Sequence, residues 1–111
     1  MDTLDTYRQG IEKVLRAYAQ LSYAHGEIQT EVLIDRQADH YLVLAVGWDG
    51  ARRIHGSIIH IDIINDKVWI QRDGTEHGIA EELVEAGIPR DHIVLGFRPA
   101  DLRQYTAYAV A

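Results

Sequence analysis

The chain has 111 residues, and 11 Lys and Arg against 17 Asp and Glu give it a formal net charge of −6. This length suits one domain around a single core, and the acidic balance argues against autonomous binding of duplex DNA, which needs a basic surface. The absence of cysteine excludes disulfides, thiolate zinc sites and cysteine catalysis. We expect a cytoplasmic protein, because the first ten residues lack a signal-peptide pattern and no apolar run reaches the roughly 20 residues of a membrane span.

The first predicted element is a helix over about residues 3–20. Its apolar residues recur at spacings of three and four, which places them in one stripe along the helix: Leu4, Tyr7, Ile11, Val14, Leu15 and Tyr18. Asp2 or Thr3 can cap the start of this helix. A connection at residues 21–26 is expected to follow it.

Four β-strands are predicted next, because their residues are rich in β-branched and aromatic side chains: Glu27–Asp35, 40–48, Arg52–Ile64 and 67–72. Asp49-Gly50 is a strong signal for a two-residue hairpin turn, and it sets Trp48 opposite Ala51. The predicted core face then holds Leu42, Leu44, Val46, Trp48, Ile59, Ile61 and Ile63. The opposite face holds Tyr41, Val43, Ala45, Ile54 and Ile58.

The third and fourth strands predict a second hairpin, with Asn65-Asp66 as a turn that tolerates positive φ angles. This turn places Asp62 opposite Trp69 and His60 opposite Gln71. Since side chains alternate along a strand, four apolar residues share the core face: Ile61, Ile63, Val68 and Ile70. The polar set shares the opposite face: His60, Asp62, Trp69, Gln71 and Asp73.

A second helix is predicted after Asp73, which with Glu76 has the spacing of a capping box, while Thr75 is an alternative cap. Its apolar side consists of Ile79, Ala80, Leu83 and Val84, and Gly87 followed by Ile88-Pro89 predicts its end. A short strand at residues 93–97 and an irregular tail complete the chain. The predicted fold class is α+β: an antiparallel sheet of four or more strands with both helices packed on one face.

The face opposite the predicted core is half apolar, whereas the solvent side of a sheet usually alternates to polar residues. We therefore expect a second subunit, a partner protein or the C-terminal tail to cover it. Trp69 can anchor a partner there, or it can simply pack across strands beside Tyr41 or Ile58. The candidate partner or ligand face consists of Tyr41, Ile58, His60, Asp62, Trp69, Gln71 and Asp73.

His60 and Asp62 are the strongest candidates for metal binding or acid/base chemistry, because residues two apart on a strand can reach one ion or substrate. Asp73 or Glu76 could supply a third ligand, as a metal-dependent nuclease or other phosphodiester-acting subunit would require. The simpler interpretation is a hydrogen-bonded His–Asp pair that orders the hairpin or an interface. Since no further ligand follows at a recognisable spacing, we predict no catalytic residue, no metal and no cofactor.

Several segments carry a family resemblance over nearly the whole chain: VGWDGARRIHG at 46–56, HIDI at 60–63, KVWIQRDGTEHGIAEELVEAGIP at 67–89, DHIVLGF at 91–97 and RQYTAYAVA at 103–111. In these segments the chain resembles XisI, the fdxN element excision controlling factor of cyanobacteria. Asp66 stands where the family commonly has glycine, and Ala100 stands where it commonly has a second proline. Both departures fall in turns or irregular segments.

The resemblance implies a role beside XisH and a site-specific recombinase, which remove a DNA element during heterocyst development. It brings no established active-site residues with it. We therefore expect a non-enzymatic factor that acts through protein–protein contacts with an XisH-like partner. We also expect a homo-oligomer that binds neither duplex DNA nor a membrane.

Overall fold

The computed structural model describes residues 3–21 and 27–111; Asp2 and almost all of the predicted connection at 21–26 lie outside these residues. The helices and strands follow one another as α1 (Thr3–Leu21), β1 (Glu27–Asp35), β2 (His40–Asp49), β3 (Arg52–Ile64), β4 (Lys67–Asp73), α2 (Ala80–Glu85) and β5 (Ile93–Leu95). Two short 3-10 helices lie at Arg90–His92 and Ala100–Tyr105. No helix within the described ranges has the length and apolar character of a membrane span.

The five strands form one sheet in the order β1-β2-β3-β4-β5, so β1 and β5 are its edges. The first four strands pair antiparallel, whereas β5 runs parallel to β4. The parallel pair arises because α2 lies between these two strands in sequence and carries the chain back to the same end of the sheet. The α+β class is confirmed, and the sheet is mixed rather than wholly antiparallel.

Both helices pack on one face of the sheet, which we call the helix side. The α1 stripe is confirmed, because Tyr7, Ile11, Val14 and Leu15 are buried in one cluster with Leu83 of α2 and the central strands. The strands contribute fully buried residues to this cluster: Tyr41, Val43, Ile59, Ile61, Val68, Ile70 and Ile93. We call the other side of the sheet the open face.

The second hairpin has the predicted turn and register near the turn. Asn65 and Asp66 take positive φ angles of 51° and 66°, and Asp62 pairs with Trp69. The register shifts between His60 and Ile61, so that His60 pairs with Arg72 instead of the predicted Gln71. Gln71 is therefore the extra residue of a β-bulge, a feature that the alternation of residue types does not reveal.

The first hairpin differs from its prediction in two ways. Its turn lies at Gly50-Ala51, because Asp49 pairs with Arg52, and a second register shift occurs between Val43 and Leu44. That shift leaves Ile58 as an extra residue on β3, and one extra residue reverses which β2 side chains share a face with Ile59 and Ile61. The predicted faces of β2 were consequently wrong: Tyr41 and Val43 belong to the helix side, and Leu42 and Leu44 belong to the open face.

Helix α2 begins later than its predicted capping box. Its N-cap residue is Ile79, which makes no side-chain cap, and neither Asp73 nor Thr75 occupies that position. The carboxylate of Asp73 instead accepts a hydrogen bond from the Ile79 backbone N–H at 2.7 Å and thereby fixes the entry to the helix. The predicted end is confirmed, since Gly87 has a φ of 109° and Ile88 is buried in the core.

Candidate functional site

A cluster of two histidines and one aspartate lies on the open face where β2 and β3 pair. Asp62 pairs directly with His40, and Leu42 pairs with His60, so the three polar side chains project from the same side of the sheet. Residues 60 and 62 share this face because strand side chains alternate. Hydrogen-bonded strands hold all three residues, which limits how far their side chains can separate. We call His40, His60 and Asp62 the His–Asp–His cluster.

One carboxylate oxygen is the centre of this cluster. Nδ1 of His40 lies 2.7 Å from Oδ1 of Asp62, and Nε2 of His60 lies 2.8 Å from the same oxygen. The amide of Gln71 donates a longer hydrogen bond, 3.3 Å, to the other oxygen, Oδ2. Asp62 is only 8% exposed and is the one charged residue that is buried within residues 3–20 and 27–111. It therefore depends on these three partners for the hydrogen bonds that water would otherwise provide.

The electrostatics of the cluster favour a positive charge on its outer histidine. The hydrogen bond to Asp62 and the charge of that carboxylate raise the pKa of His40 above its ordinary value, and Asp35 and Asp39 add smaller effects in the same direction. Asp35 is the residue that faces His40 from β1. The cluster is thus an electronegative position on an acidic protein, exposed to solvent through the half-exposed side chain of His40.

His40 was not among the residues that the sequence singled out. The predicted register of the first hairpin places Asp62 opposite position 37, which precedes β2, so no side chain of β2 could meet it. The extra residue Ile58 and the shifted turn bring His40 directly opposite Asp62. The sequence alone showed His40 only as the first residue of a predicted strand. Its contact with Asp62 follows from the observed register.

Asp73 does not lie with the cluster, contrary to the prediction. The bulge at Gln71 turns its side chain to the helix side, where Asp73 pairs with Ile59. Its oxygens accept hydrogen bonds from the backbone N–H groups of Thr75 and Ile79. Asp73 therefore orders the loop before α2, and the predicted nuclease ligand set of His60, Asp62 and Asp73 is not assembled. The other predicted third ligand, Glu76, is an exposed residue of that loop.

Tyr41 and Ile58 also leave the predicted partner face. Tyr41 is fully buried on the helix side, and its hydroxyl donates a 2.8 Å hydrogen bond to Asp39. Ile58 is half-buried and packs against the same core. Neither residue can contact a partner on the open face without disrupting the helix-side core.

The open face nevertheless has an apolar surface, built from other residues than those predicted. Side chains of β1 and β2 form a continuous apolar band, because Leu33 pairs with Leu42 and the remaining members alternate along β2. Leu33 is 49% exposed and Trp48 is 44% exposed, which are high values for large apolar side chains. The apolar band consists of Leu33, Leu42, Leu44, Val46 and Trp48.

Oppositely charged residues flank this apolar band. On β1, Glu27 pairs with Trp48 and Glu31 pairs with Leu44, which places acidic side chains along one side. On β3, Arg53 pairs with Trp48, and its guanidinium carbon lies 5.2 Å from the centroid of the tryptophan ring. An apolar centre with charged margins has the composition of a protein–protein contact surface.

The C-terminal tail, residues 99–111, covers the open face at β4 and β5. The guanidinium carbon of Arg103 lies 5.0 Å from the centroid of the Trp69 ring, and Ala109 forms a backbone bridge to Val94 at the β5 edge of the sheet. Val94 pairs with Trp69 and is fully buried, although it lies outside the helix-side cluster. Trp69 thus lies on the predicted face, but it packs beneath the tail. The tail reaches β4 and β5 and leaves the apolar band on β1 and β2 exposed.

Comparison with known proteins identifies relatives of this chain. A search of curated proteins finds no match. Among solved structures, a XisI-like protein from Anabaena variabilis ATCC 29413 is 38% identical and superposes with a TM-score of 0.91, covering 98% of this chain and 100% of its own. The fdxN element excision controlling factor XisI from the same organism is also 38% identical, with a TM-score of 0.86 and coverage of 99% and 100%. The sequence model of the XisI family, described as XisI protein, matches residues 1–110, and the chain therefore belongs to the XisI family.

Proposed function

We propose that this protein is a non-enzymatic controlling factor for programmed excision of a DNA element. It acts through contacts with an XisH-like protein and, in that assembly, with a site-specific recombinase. Family membership supports the process, because a relative of the same length and fold is an fdxN element excision controlling factor. The apolar band on the open face is the observation that carries the mode of action.

The exposure of the apolar band supports binding to another protein. The band joins five large apolar side chains on two adjacent strands, and its two most exposed members, Leu33 and Trp48, lie at opposite corners. Contiguous apolar surface of this kind usually marks a protein contact, and tryptophan is frequent at the energetic centre of such contacts. The tail already covers the β4–β5 end of the face, so the partner is expected at the β1–β2 end.

The charge of the protein supports an indirect role in DNA chemistry. With 17 acidic and 11 basic residues, the protein repels the phosphate backbone at long range. The recombinase or the XisH-like partner would therefore supply the DNA contacts. We expect no mobility shift of duplex DNA by the isolated protein at physiological salt.

Co-purification with an XisH-like protein tests the proposal. Leu33→Asp combined with Trp48→Ala places a charge in the apolar band and removes its largest side chain, and both positions are exposed enough to leave the fold intact. We expect the affinity for the partner to fall at least 10-fold, as for an interface hot spot. Tyr105→Ser is the matched control, because Tyr105 is 79% exposed and lies outside the band.

The apolar band is also the candidate contact between two copies of the chain. Light scattering of the double variant and of the Tyr105→Ser control shows whether the apolar band also joins two copies of the chain. A dimer would bury the same residues from both subunits across a two-fold axis. Wild-type partner affinity and an unchanged oligomer in the double variant would together reject the apolar band as the contact surface.

A further inference from the structure

We propose that His40, His60 and Asp62 form a binding site for a divalent transition-metal ion, with Zn²⁺ as the preferred ion. One ligand atom from each residue takes part: Nδ1 of His40, Nε2 of His60 and a carboxylate oxygen of Asp62. These atoms all lie within 4.8 Å of one another. The site adjoins the apolar band, because Leu42 pairs with His60, but none of its ligands belongs to the band and none comes from a partner protein.

The spacing of the three atoms fits a small tetrahedral ion. Zinc–ligand bonds of about 2.0–2.1 Å place the ligand atoms of a tetrahedral site about 3.3 Å apart. The two nitrogens now lie 2.7 and 2.8 Å from Oδ1 of Asp62, where each ring donates a proton to that oxygen. A metal ion that replaces these two protons requires each nitrogen–oxygen distance to lengthen by roughly half an ångström, which small rotations of the side chains can supply while the strands stay in place.

The backbone holds the ligands in place before any ion arrives. His60 and Asp62 are two residues apart on β3, and His40 lies directly across from Asp62 on β2. Directly paired residues have Cβ atoms about 4.5–5.5 Å apart, which suits three ligands around one ion. The β-bulge at Ile58 lies where β3 pairs with β2, and the β-bulge at Gln71 lies where β4 pairs with β3, close to His60 in both cases. Without the bulge at Ile58, His40 would not face Asp62.

The outer contacts also match those of a metal site. A metal-bound carboxylate usually has a further hydrogen bond that orients it, and the Gln71 amide supplies one to Oδ2 of Asp62. Asp35 faces His40 from β1 and adds negative charge nearby. The protein therefore provides three ligands, one orienting residue and an electronegative surrounding, while the exposed side of His40 gives an ion access from solvent.

The ligand types select the class of ion. Two imidazoles and one carboxylate suit Zn²⁺ and related transition metals, which commonly take three protein ligands and a water molecule. Mg²⁺ prefers oxygen ligands in octahedral geometry and should not bind here. The competing explanation is a purely hydrogen-bonded His–Asp–His network that stabilises the sheet without an ion.

Calorimetric titration of the isolated protein, with any affinity tag removed, distinguishes these explanations. We expect one Zn²⁺ per chain at neutral pH and no Mg²⁺ binding. His40→Ala and His60→Ala should each weaken Zn²⁺ binding at least 100-fold, beyond the effect of losing an orienting residue. His55→Ala is the matched control, because His55 is an exposed histidine on β3, the strand that carries His60, and lies outside the cluster.

Two further measurements separate ligation from a loss of structure. Co²⁺ bound to the wild-type protein should give the strong visible absorption of four-coordinate cobalt, and His40→Ala should abolish it while far-UV circular dichroism stays unchanged. Gln71→Ala should weaken Zn²⁺ binding by only about 10-fold, because Gln71 orients Asp62 without touching the ion. Absence of stoichiometric Zn²⁺ binding, or equal binding by His40→Ala and His55→Ala, would overturn the proposal. Either result leaves the controlling-factor proposal unaffected, since no partner takes part in the assay.

Discussion

The helix side and the open face of this sheet carry similar apolar residues, which differ in how far they are buried. On the helix side, Ile59, Ile61, Val68 and Ile70 are completely buried beneath α1 and α2. On the open face, Leu33 and Trp48 of the apolar band retain nearly half of their accessible surface. Burial of an apolar side chain stabilises the fold only where water is excluded, so the helix side, which holds nearly all of the fully buried residues, supplies most of this stabilisation. The open face holds apolar surface that remains accessible to water.

The largest expected effect separates the two faces by truncating one residue on each. Ile61→Ala on the helix side should lower the free energy of unfolding by about 2–5 kcal/mol, because a fully buried side chain leaves a cavity. Leu33→Ala on the open face should cost less than about 1 kcal/mol, since water already reaches half of that side chain. Urea denaturation of both variants measures the difference. Equal losses of stability would show that the open face is covered in the isolated protein.

The second-largest expected effect concerns the close approach of the β1 and β2 backbones, because these two strands contribute side chains to both faces. A Cβ atom at Gly47 would lie 1.9 Å from the backbone oxygen of Glu27 and 2.7 Å from Cα of Ile28, so the strands would have to separate. Gly47→Ala should therefore destabilise the protein by about 2–3 kcal/mol. Gly56→Ala, on the neighbouring strand with open space around its Cβ position, should stay within about 0.5 kcal/mol. Thermal unfolding of the two variants tests this contrast, and similar melting temperatures would contradict it.

The smallest expected effect depends on pH and concerns an ion pair that ties α1 to the β1–β2 turn. Arg8 donates hydrogen bonds of 2.8 and 3.1 Å to the two oxygens of Asp39, and this arginine holds the pKa of the Asp39 carboxyl below its usual range. A carboxyl whose pKa is lowered on folding stabilises the protein above its unfolded pKa of about 4, and loses that contribution as the pH falls through the lower folded value. Stabilisation by Asp39 should thus be complete at neutral pH and absent in strong acid.

Asp39→Asn measures this contribution without disturbing the backbone. Asp39 has a positive φ of 58°, which asparagine also tolerates. We expect a loss of about 1 kcal/mol at neutral pH, a modest value because water still screens part of the pair. The difference from the wild-type protein should shrink as the pH is lowered below about 4. Asp5→Asn, at the more exposed second partner of Arg8, is the control and should show a smaller effect at neutral pH.

The sequence was sufficient to predict the order of the helices and strands and the turn of the second hairpin. The spacing of Tyr7, Ile11 and Leu15 predicts the buried stripe of α1 because helical periodicity is strong over 19 residues. The Asn65-Asp66 turn predicts the Asp62–Trp69 pair because few residue types accept two positive φ angles in succession. In both cases a local rule determines the observed geometry.

The face of β2 and the complete His–Asp–His cluster could not be predicted in the same way. The bulge at Ile58 lies in a run of β-branched residues that suits a regular strand equally well, so tertiary packing decides where the extra residue is accommodated. That one residue exchanges Tyr41 for Leu42 on the open face and brings His40 to Asp62. Likewise, the bulge at Gln71 directs Asp73 to the loop before α2, although simple alternation assigns it to the cluster.

The position of β1 at the edge of the sheet has a consequence for aggregation. A strand of nine residues at the edge of a sheet has one side to which a strand of another copy could add. Glu27, Glu31 and Asp35 are spaced evenly along this edge and are all exposed. If two copies paired antiparallel through β1 about Glu31, glutamate would meet glutamate at the centre and Glu27 would meet Asp35 on either side. Mutual repulsion of these carboxylates opposes strand addition and fibre growth at this edge, and helps to keep the protein in solution with its apolar band exposed.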